Sequence, residues 1–196
     1  MLADRCFRLS RRQLIAVAFA SCLAGGLPAH GWAAPAANGS WGTTLTSHNG
    51  AVLSGEALKG RPYAIYFGYT HCPDICPTSM VDMTEVLGQL GESARDFRVY
   101  FVTVDPQRDT PALLKTYLEE NFDRRIIGLT GTPEAIATVA NTFGAIYRKT
   151  GSDDNYTISH TASTFLIDRR GQLFGKMPHG GPIERKVEQI KELLAD

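Results

Sequence analysis

The sequence predicts a three-layer α/β domain with a mixed central sheet over residues 43–196. Strand and helix patterns alternate through the middle of the chain, which is typical of parallel strands joined by crossover helices. A hairpin pattern precedes this alternation, and a second hairpin pattern precedes the last predicted helix. Because hairpins join antiparallel strands, a sheet that contains both kinds of connection has to be mixed.

The first predicted elements are a hairpin, a buried strand, a helix and a second strand. Asn49-Gly50 favours a tight turn between two short strands. The continuous apolar run Tyr63–Phe67 is typical of a central strand. A helix is expected from about Pro77, because proline suits the first helical turn. The strand Val99–Val104, rich in β-branched and aromatic residues, follows that helix.

The second half of the chain continues the alternation. Thr110 and Thr132 are each followed by proline, a pair that caps and starts a helix. The strand Ile126–Leu129 lies between these two helices, and Ala145–Arg148 is also expected to be extended. A hairpin around residues 168–171 and an amphipathic helix complete the predicted domain.

Composition places the chain among ordinary globular proteins. Of its 196 residues, 43% are apolar and 20% are charged, so it can bury a core without disulfide bonds. Residues 34–196 contain 16 basic and 19 acidic residues. This slightly acidic body has no basic stripe along the sequence, which argues against nucleic-acid binding.

Residues 1–33 predict an export signal, and residues 34–42 a linker. A basic segment ending at Arg12 precedes an apolar run, and small residues lead to a cleavage site at Ala33. The apolar run is shorter than the roughly 20 residues of a membrane-spanning helix. We therefore expect a periplasmic protein, with an uncleaved inner-membrane anchor as the alternative.

Two details of the leader leave its export route and its attachment open. Residues 10–15 resemble a twin-arginine export signal. Cys22 lies in a weak lipoprotein motif, so attachment to the membrane through a lipid is a further alternative.

Cys72 and Cys76 are the strongest functional signal. Cleavage after residue 33 would remove Cys6 and Cys22, so these two are the only cysteines of the exported chain. A disulfide between residues four apart closes too short a loop to stabilise the fold much. On one helical turn their Cα atoms lie about 6 Å apart, a distance that permits a disulfide or shared ligation of a soft metal. We also expect the nearby helix N-terminus to lower the thiol pKa of Cys76.

The cysteine spacing disfavours several other sites. A c-type haem needs C-x-x-C-H, which is absent. A structural zinc site needs four ligands, usually from two cysteine pairs. Thioredoxin-like redox motifs have two residues between their cysteines rather than three. Copper, a redox dithiol and a chance pair of core cysteines remain as alternatives.

Histidines are the natural additional ligands for copper. We expect His48, beside a turn, and His179, in a loop, to be exposed, and the side chain of His71 to point away from Cys72. His160 immediately precedes a predicted strand, which makes it a candidate ligand. Spacing alone does not bring it near the cysteines.

Three ordered blocks of sequence resemble the Sco/SenC family, and the resemblance extends from about residue 45 to residue 194. The blocks are Phe67–Pro77 (FGYTHCPDICP), Asp105–Pro111 (DPQRDTP) and Ser159–Asp168 (SHTASTFLID). Ser159 departs from the family, which often has an acidic residue before the histidine.

The resemblance implies a thioredoxin-like fold and a copper(I) or copper(II) site formed by Cys72, Cys76 and His160. It implies a metallochaperone that helps assemble the dinuclear copper centre of cytochrome c oxidase. The expected partners are the copper-centre subunit of the oxidase and other copper chaperones. Two functions stay open beside this one: a thiol–disulfide oxidoreductase that uses Cys72 and Cys76 as a redox dithiol, and a copper or redox sensor. Whether the chain is an enzyme depends on the first of these.

Two features of the sequence are interpreted as structural. Asp105–Pro111 has the composition of a turn followed by a helix cap. Met80 and Met83 recur at helical spacing, so we expect them in the core rather than on a metal.

Overall fold

A computed structural model describes residues 41–152 and 155–196. The predicted export signal, with Cys6 and Cys22, and the linker up to residue 40 lie outside the described residues. None of the helices in the described part is both long enough and apolar enough to cross a membrane.

The described chain forms two sheets. The strands are Thr44–Ser47 (β1), Val52–Ser54 (β2), Tyr63–Gly68 (β3), Arg98–Thr103 (β4), Ile126–Thr130 (β5), Tyr147–Ser152 (β6), Asn155–His160 (β7), Ser163–Ile167 (β8) and Leu173–Pro178 (β9). The centre of the domain is a seven-stranded mixed sheet with the order β2-β1-β5-β4-β3-β8-β9. Strands β3, β4 and β5 are parallel, whereas β1, β2, β8 and β9 pair antiparallel with their neighbours. A separate two-stranded sheet consists of β6 and β7.

Helices cover both faces of the large sheet. The helices are Ile75–Leu90 (α1), Pro111–Glu119 (α2), Pro133–Phe143 (α3) and Ile183–Ala195 (α4). On one face Tyr66 stacks on Phe101, and Gly128 in the same register row lies under α2. On the other face Phe67 packs on Phe165, which contacts Phe143 of α3. Successive residues of β3 thus point to opposite layers.

This architecture confirms the predicted mixed α/β fold, which is thioredoxin-like with an added N-terminal hairpin. Gly50 adopts the positive φ of 83° that its turn requires. Thr110 and Thr132 cap α2 and α3, because each hydroxyl accepts a backbone N–H three residues later at 3.2 Å.

Two local predictions differ from the structure. Helix α1 begins at Ile75, two residues before Pro77. Proline fits inside the first turn because the N–H groups there have no intrahelical partner. The β6–β7 hairpin was predicted only in part, through the extended segment near residue 147. Five of the six residues of β6 are exposed, so the strand lacks the apolar alternation that reveals most strands.

Candidate metal centre

The two cysteines lie where β3 passes into α1. Cys72 is in the connecting loop and is half-buried, while Cys76 is the second residue of α1 and is fully buried. Gly68 ends β3 directly beneath them. A Cβ atom at Gly68 would lie 2.9 Å from Cys76 Sγ and equally close to the rings of Tyr66 and Phe101. Glycine is therefore required at this position for the sulfur to reach its site.

The two sulfurs are brought together by the helix start. The backbone N–H of Cys76 donates to Cys72 Sγ at 3.5 Å, so the first turn of α1 uses an otherwise unpaired donor on the sulfur. The N–H of Cys72 donates to the carbonyl of Tyr69 at 3.2 Å, which closes a tight turn. Both cysteines are free thiols in this structure.

His160 reaches the cysteines from β7, 84 residues along the chain. Its Nε2 lies 3.2 Å from Cys76 Sγ, and its Nδ1 lies 3.2 Å from the carbonyl of Thr161. A proton on Nδ1 that is donated to this carbonyl leaves the Nε2 lone pair free for a ligand. The rings of Tyr66 and Tyr69 meet the imidazole edge-on, each with its centroid 6.0 Å away.

The structure thus brings together three predicted residues that come from two separate blocks of sequence. The sulfurs of Cys72 and Cys76 and a ring nitrogen of His160 lie within 4.8 Å of one another. Within residues 41–152 and 155–196, this is the one group of three or more potential ligands of this kind close enough to share an ion.

Burial dominates the protonation of the site. It raises the pKa of the Cys76 thiol well above its ordinary value, against a smaller opposite effect of a hydrogen bond from the backbone of Tyr69. The predicted lowering by the helix N-terminus is therefore wrong in direction, because the sulfur is removed from water. Burial also lowers the pKa of His160, so its imidazole is held in the neutral form that binds metals.

Asp109 anchors the loop that leads from β3 to Cys72. Its fully buried carboxylate accepts the N–H of Thr70 at 3.0 Å, the hydroxyl of Thr70 at 2.6 Å and the hydroxyl of Thr103 at 2.6 Å. Asp109 belongs to the block that was interpreted as a turn and helix cap. The cap is present, but the block also fixes the residue two positions before Cys72, a role that local pattern did not predict.

Arg108, from the same block, clamps the hairpin that carries His160. Its guanidinium lies 3.7 Å above the ring of Tyr156 in β7, and its Nε donates to the buried carboxylate of Asp105. The Tyr156 hydroxyl donates to the other oxygen of Asp105 at 2.7 Å, and Lys149 Nζ lies 3.4 Å from the centroid of the Tyr156 ring. Tyr69 OH accepts the N–H of Ile158 at 3.3 Å. The hairpin is thus held mainly by side chains.

The other histidines take no part in the cluster. His71 is half-exposed and lies 3.0 Å from the hydroxyl of Thr70 through Nδ1. His179 is exposed, as expected, and its Nδ1 lies 3.0 Å from the hydroxyl of Ser79. His48 was expected at the surface, but it is buried, because β1 packs it between β5 and α2. Met80 and Met83 lie in the core, as predicted.

Comparison with known proteins identifies the same family along most of the chain. A family model described as SCO1/SenC matches residues 35–195. The chain is 43% identical over 131 residues to an SCO2-like protein of Rickettsia felis, and the match covers 65% of this chain and 63% of that protein. The chain therefore spans less than two thirds of the length of that relative.

Solved structures agree with the fold. The structure of Bradyrhizobium japonicum ScoI with copper bound is 40% identical with a TM-score of 0.71, covering 76% of this chain and 96% of that one. Yeast Sco1 with copper bound is 28% identical with a TM-score of 0.69, covering 78% of this chain and 86% of that one.

Proposed function

The chain belongs to the SCO1/SenC family, and from its two-cysteine, one-histidine cluster we propose that it binds copper and helps assemble the dinuclear copper centre of cytochrome c oxidase. The observation that carries this proposal is the convergence of Cys72, Cys76 and His160 within 4.8 Å. The copper-bound structures of two Sco proteins, which share the fold, support the choice of metal.

The donor set suits copper in either oxidation state. Two thiolates supply soft donors, and their two negative charges exceed the single charge of copper(I). His160 adds an imidazole donor, which copper(II) prefers. Because burial keeps Cys76 protonated without metal, copper binding has to release a proton from its thiol.

The unequal burial of the two cysteines favours transfer to a partner. Cys76 is fully buried, whereas Cys72 and His160 are half-exposed. An incoming thiolate can therefore approach on the side of Cys72 and His160. It can replace these two ligands before the sulfur of Cys76 dissociates from the metal. We propose the copper-centre subunit of the oxidase as the recipient, and other copper chaperones as sources of the metal.

Residues 1–33 bear on where this transfer takes place. Their basic segment, apolar run and small-residue site support export to the periplasm. The uncleaved anchor remains the alternative proposal. Mass spectrometry of the protein from its own envelope distinguishes the two, because an intact Met1 indicates an anchor and an N-terminus near Ala34 a cleaved signal.

Copper titrations of ligand variants test the proposal. Cys72→Ala and Cys76→Ala should each weaken copper(I) binding by a factor of about 100 or more, since a ligand interaction worth about 3 kcal/mol is lost. His160→Ala should weaken copper(II) more than copper(I), because copper(I) accepts two-coordinate thiolate ligation. The half-exposed His71, adjacent to Cys72, provides the control, and His71→Ala should bind copper like the parent. If His160→Ala binds both copper states like the parent, the proposed ligand set is wrong.

A thiol–disulfide oxidoreductase is the second candidate, favoured by the two free thiols and the partial exposure of Cys72. In that reaction the Cys72–Cys76 dithiol would be oxidised to a disulfide, while a disulfide of the oxidase copper site would be reduced to two thiols. His160 has no role in this exchange. Reduction of a disulfide-bonded copper-site peptide by His160→Ala at the parent rate, but not by Cys72→Ala, would favour this function. The disulfide form should not bind copper until reductant is added.

A further inference from the structure

Six arginines converge at the end of the sheet that lies opposite the cysteines. Arg61 comes two residues before β3, Arg98 begins β4 and Arg125 immediately precedes β5. Because these strands are parallel, their starting ends meet at one edge of the sheet. Cys72 follows the other end of β3, about 20 Å away along a six-residue strand. We call the cluster the arginine pole: Arg61, Arg95, Arg98, Arg124, Arg125 and Arg169.

Two neighbouring cavities open at the arginine pole. The first has a volume of about 540 Å³ and is lined by Arg61, Arg95 and Arg169. The second has a volume of about 470 Å³ and is lined by Arg95, Arg98, Arg124 and Arg125. The two cavities share Arg95, so they form a continuous concave surface rich in guanidinium groups.

Charge is distributed unevenly between this pole and the rest of the domain. Three carboxylates, those of Glu92, Asp96 and Asp123, line the same cavities as the six arginines. The remainder of residues 34–196 contains ten basic and sixteen acidic residues. The domain is therefore positive at the pole and negative elsewhere, and an anionic surface would attract it in one orientation.

Part of this positive charge is available for a partner. Arg125 is paired with Asp123 at 2.6 Å, and Arg98 donates to backbone carbonyls. Arg61 and Arg124 are exposed, and their guanidinium groups form no hydrogen bond or ion pair with any described residue. Guanidinium groups bind phosphate through paired N–H donors, which makes arginine suited to this ligand.

We propose that the arginine pole docks on the phosphate headgroups of an anionic bilayer and so holds the cysteine–histidine site away from the membrane. The N-terminal connection supports a bilayer as the occupant. The described chain begins at Trp41, whose ring packs against Tyr63 with centroids 6.3 Å apart. Tyr63 lines a small cavity together with Arg61 and Arg98. The chain thus enters the described domain at a residue that packs beside the pole. The inference rests on the alternative in which residues 1–33 are retained as a membrane anchor, and not on copper binding.

Vesicle binding by the full chain tests the proposal. Affinity is measured for vesicles of phosphatidylcholine alone and of phosphatidylcholine with phosphatidylglycerol, and the ratio of the two cancels the contribution of the apolar leader. A basic residue near an anionic surface contributes about fivefold, or ~1 kcal/mol. The triple variant Arg61→Gln, Arg95→Gln, Arg124→Gln should therefore lower the ratio by about 100-fold.

A variant of equal charge change is the matched control. Lys115→Gln, Arg148→Gln, Arg185→Gln removes three exposed positive charges that line neither pole cavity. Arg185, for example, lies about 14 Å along α4 from Leu194, which lines the first cavity. This exceeds the screening length of about 8 Å, so the ratio should fall by less than about fivefold. An unchanged ratio in the pole variant, or an equal loss in the control, overturns the proposal. A pole variant that loses binding to polyglutamate but keeps its vesicle ratio would identify an acidic polypeptide as the occupant instead.

The orientation has its own readout. Alkylation of the half-exposed Cys72 by iodoacetamide should proceed at the same rate on anionic vesicles as in solution, because the site faces away from the bilayer. Protection of Cys72 on the vesicles would contradict the proposed orientation. Unchanged thermal unfolding of both triple variants establishes that their folds are intact.

Discussion

The cysteine side and the histidine side of the candidate centre are built differently. Cys76 belongs to a helix that packs on the central sheet, and Asp109 ties the preceding loop to β4. His160 ends a hairpin that forms a sheet of its own and is attached through Tyr156, Ile158 and the residues they touch. The sulfurs are thus fixed by the core of the domain, while the imidazole depends on a few side-chain contacts.

This difference indicates how the centre can release a metal. A ligand on a lightly attached hairpin can move with little disturbance of the core, whereas the sulfur of Cys76 cannot move without repacking of buried residues. We therefore expect His160 to be the ligand that adapts to the copper oxidation state and to the partner.

The largest effect is expected for Asp109→Ala, which removes the anchor of the loop before Cys72 on the cysteine side. The change removes three hydrogen bonds to a buried carboxylate and leaves the N–H of Thr70 without its partner. We expect a loss of about 3 kcal/mol in the free energy of unfolding, together with weaker binding of both copper states. Urea unfolding and copper titration measure the two effects.

Asp96→Ala is the control for this variant, because that side chain is 79% exposed and lies 3.9 Å from Arg95. It should unfold like the parent. Equal stability of Asp109→Ala and the parent would mean that the loop before Cys72 does not need this anchor, and the contrast between the two sides would fail.

Gly68→Ala should have the next largest effect and should act on the sulfur directly. Its new methyl group would lie 2.9 Å from Cys76 Sγ, where no atom fits without movement. Overpacking of this kind costs about 1–3 kcal/mol, and the displaced sulfur should bind copper(I) less tightly. Gly175→Ala, in β9, is the matched control, since its Cβ would meet nothing within 4 Å. If both variants bind copper like the parent, Cys76 tolerates more movement than the packing indicates.

Tyr156→Phe should affect the histidine side with a smaller change in stability. It removes the hydrogen bond to Asp105 but keeps the ring beneath Arg108. A loss of about 1 kcal/mol in hairpin attachment should lower copper(II) affinity about fivefold and copper(I) affinity less, which spectroscopic competition titrations resolve. Tyr147→Phe removes a hydroxyl from the same hairpin that makes no hydrogen bond to a described residue, so it should leave both affinities unchanged. A fall in copper(I) affinity as large as that in copper(II) would argue against an adaptable histidine.

Sequence reasoning succeeded where structure is set by local pattern. The turn at Gly50, the proline-started helices and the buried run of β3 each follow from residues close together in the chain. The position of His160 did not, since 84 residues separate it from Cys76 and only the resemblance to a family linked them. The thiol pKa of Cys76 was predicted in the wrong direction, because the burial of its sulfur depends on the packing of Tyr66 and Phe101.

The arginine pole was not predicted from the sequence, again because residues distant in the chain form it. Its residues come from the starts of three strands and the loops around them, so no basic stripe appears along the chain. Parallel pairing collects them at one edge of the sheet. His48 is a third case: a polar residue beside a turn normally indicates exposure, but β1 carries it against β5.

The smallest effect is expected for the pH dependence that His48 gives to the free energy of unfolding. Its Nδ1 accepts the N–H of Gly128 at 3.2 Å in β5, so protonation of Nδ1 would break a hydrogen bond inside the main sheet. Burial lowers the pKa of His48, an effect that Glu119, 3.8 Å away, opposes only in part. Below the ordinary histidine pKa of about 6.5 the unfolded chain therefore binds a proton that the folded chain resists.

This stabilising contribution should be complete above about pH 6.5 and should fall as the pH drops below that value, by at most about 1.4 kcal/mol per pH unit, because one proton is involved. His48→Asn removes the titration and can keep an acceptor near the position of Nδ1. Urea unfolding of this variant and of the parent between about pH 7 and pH 5 should give a shallower slope for the variant. Parallel slopes would show that protonation of His48 does not lower the free energy of unfolding. The surroundings of His48 in the main sheet would then be as adaptable as those of His160 on the hairpin.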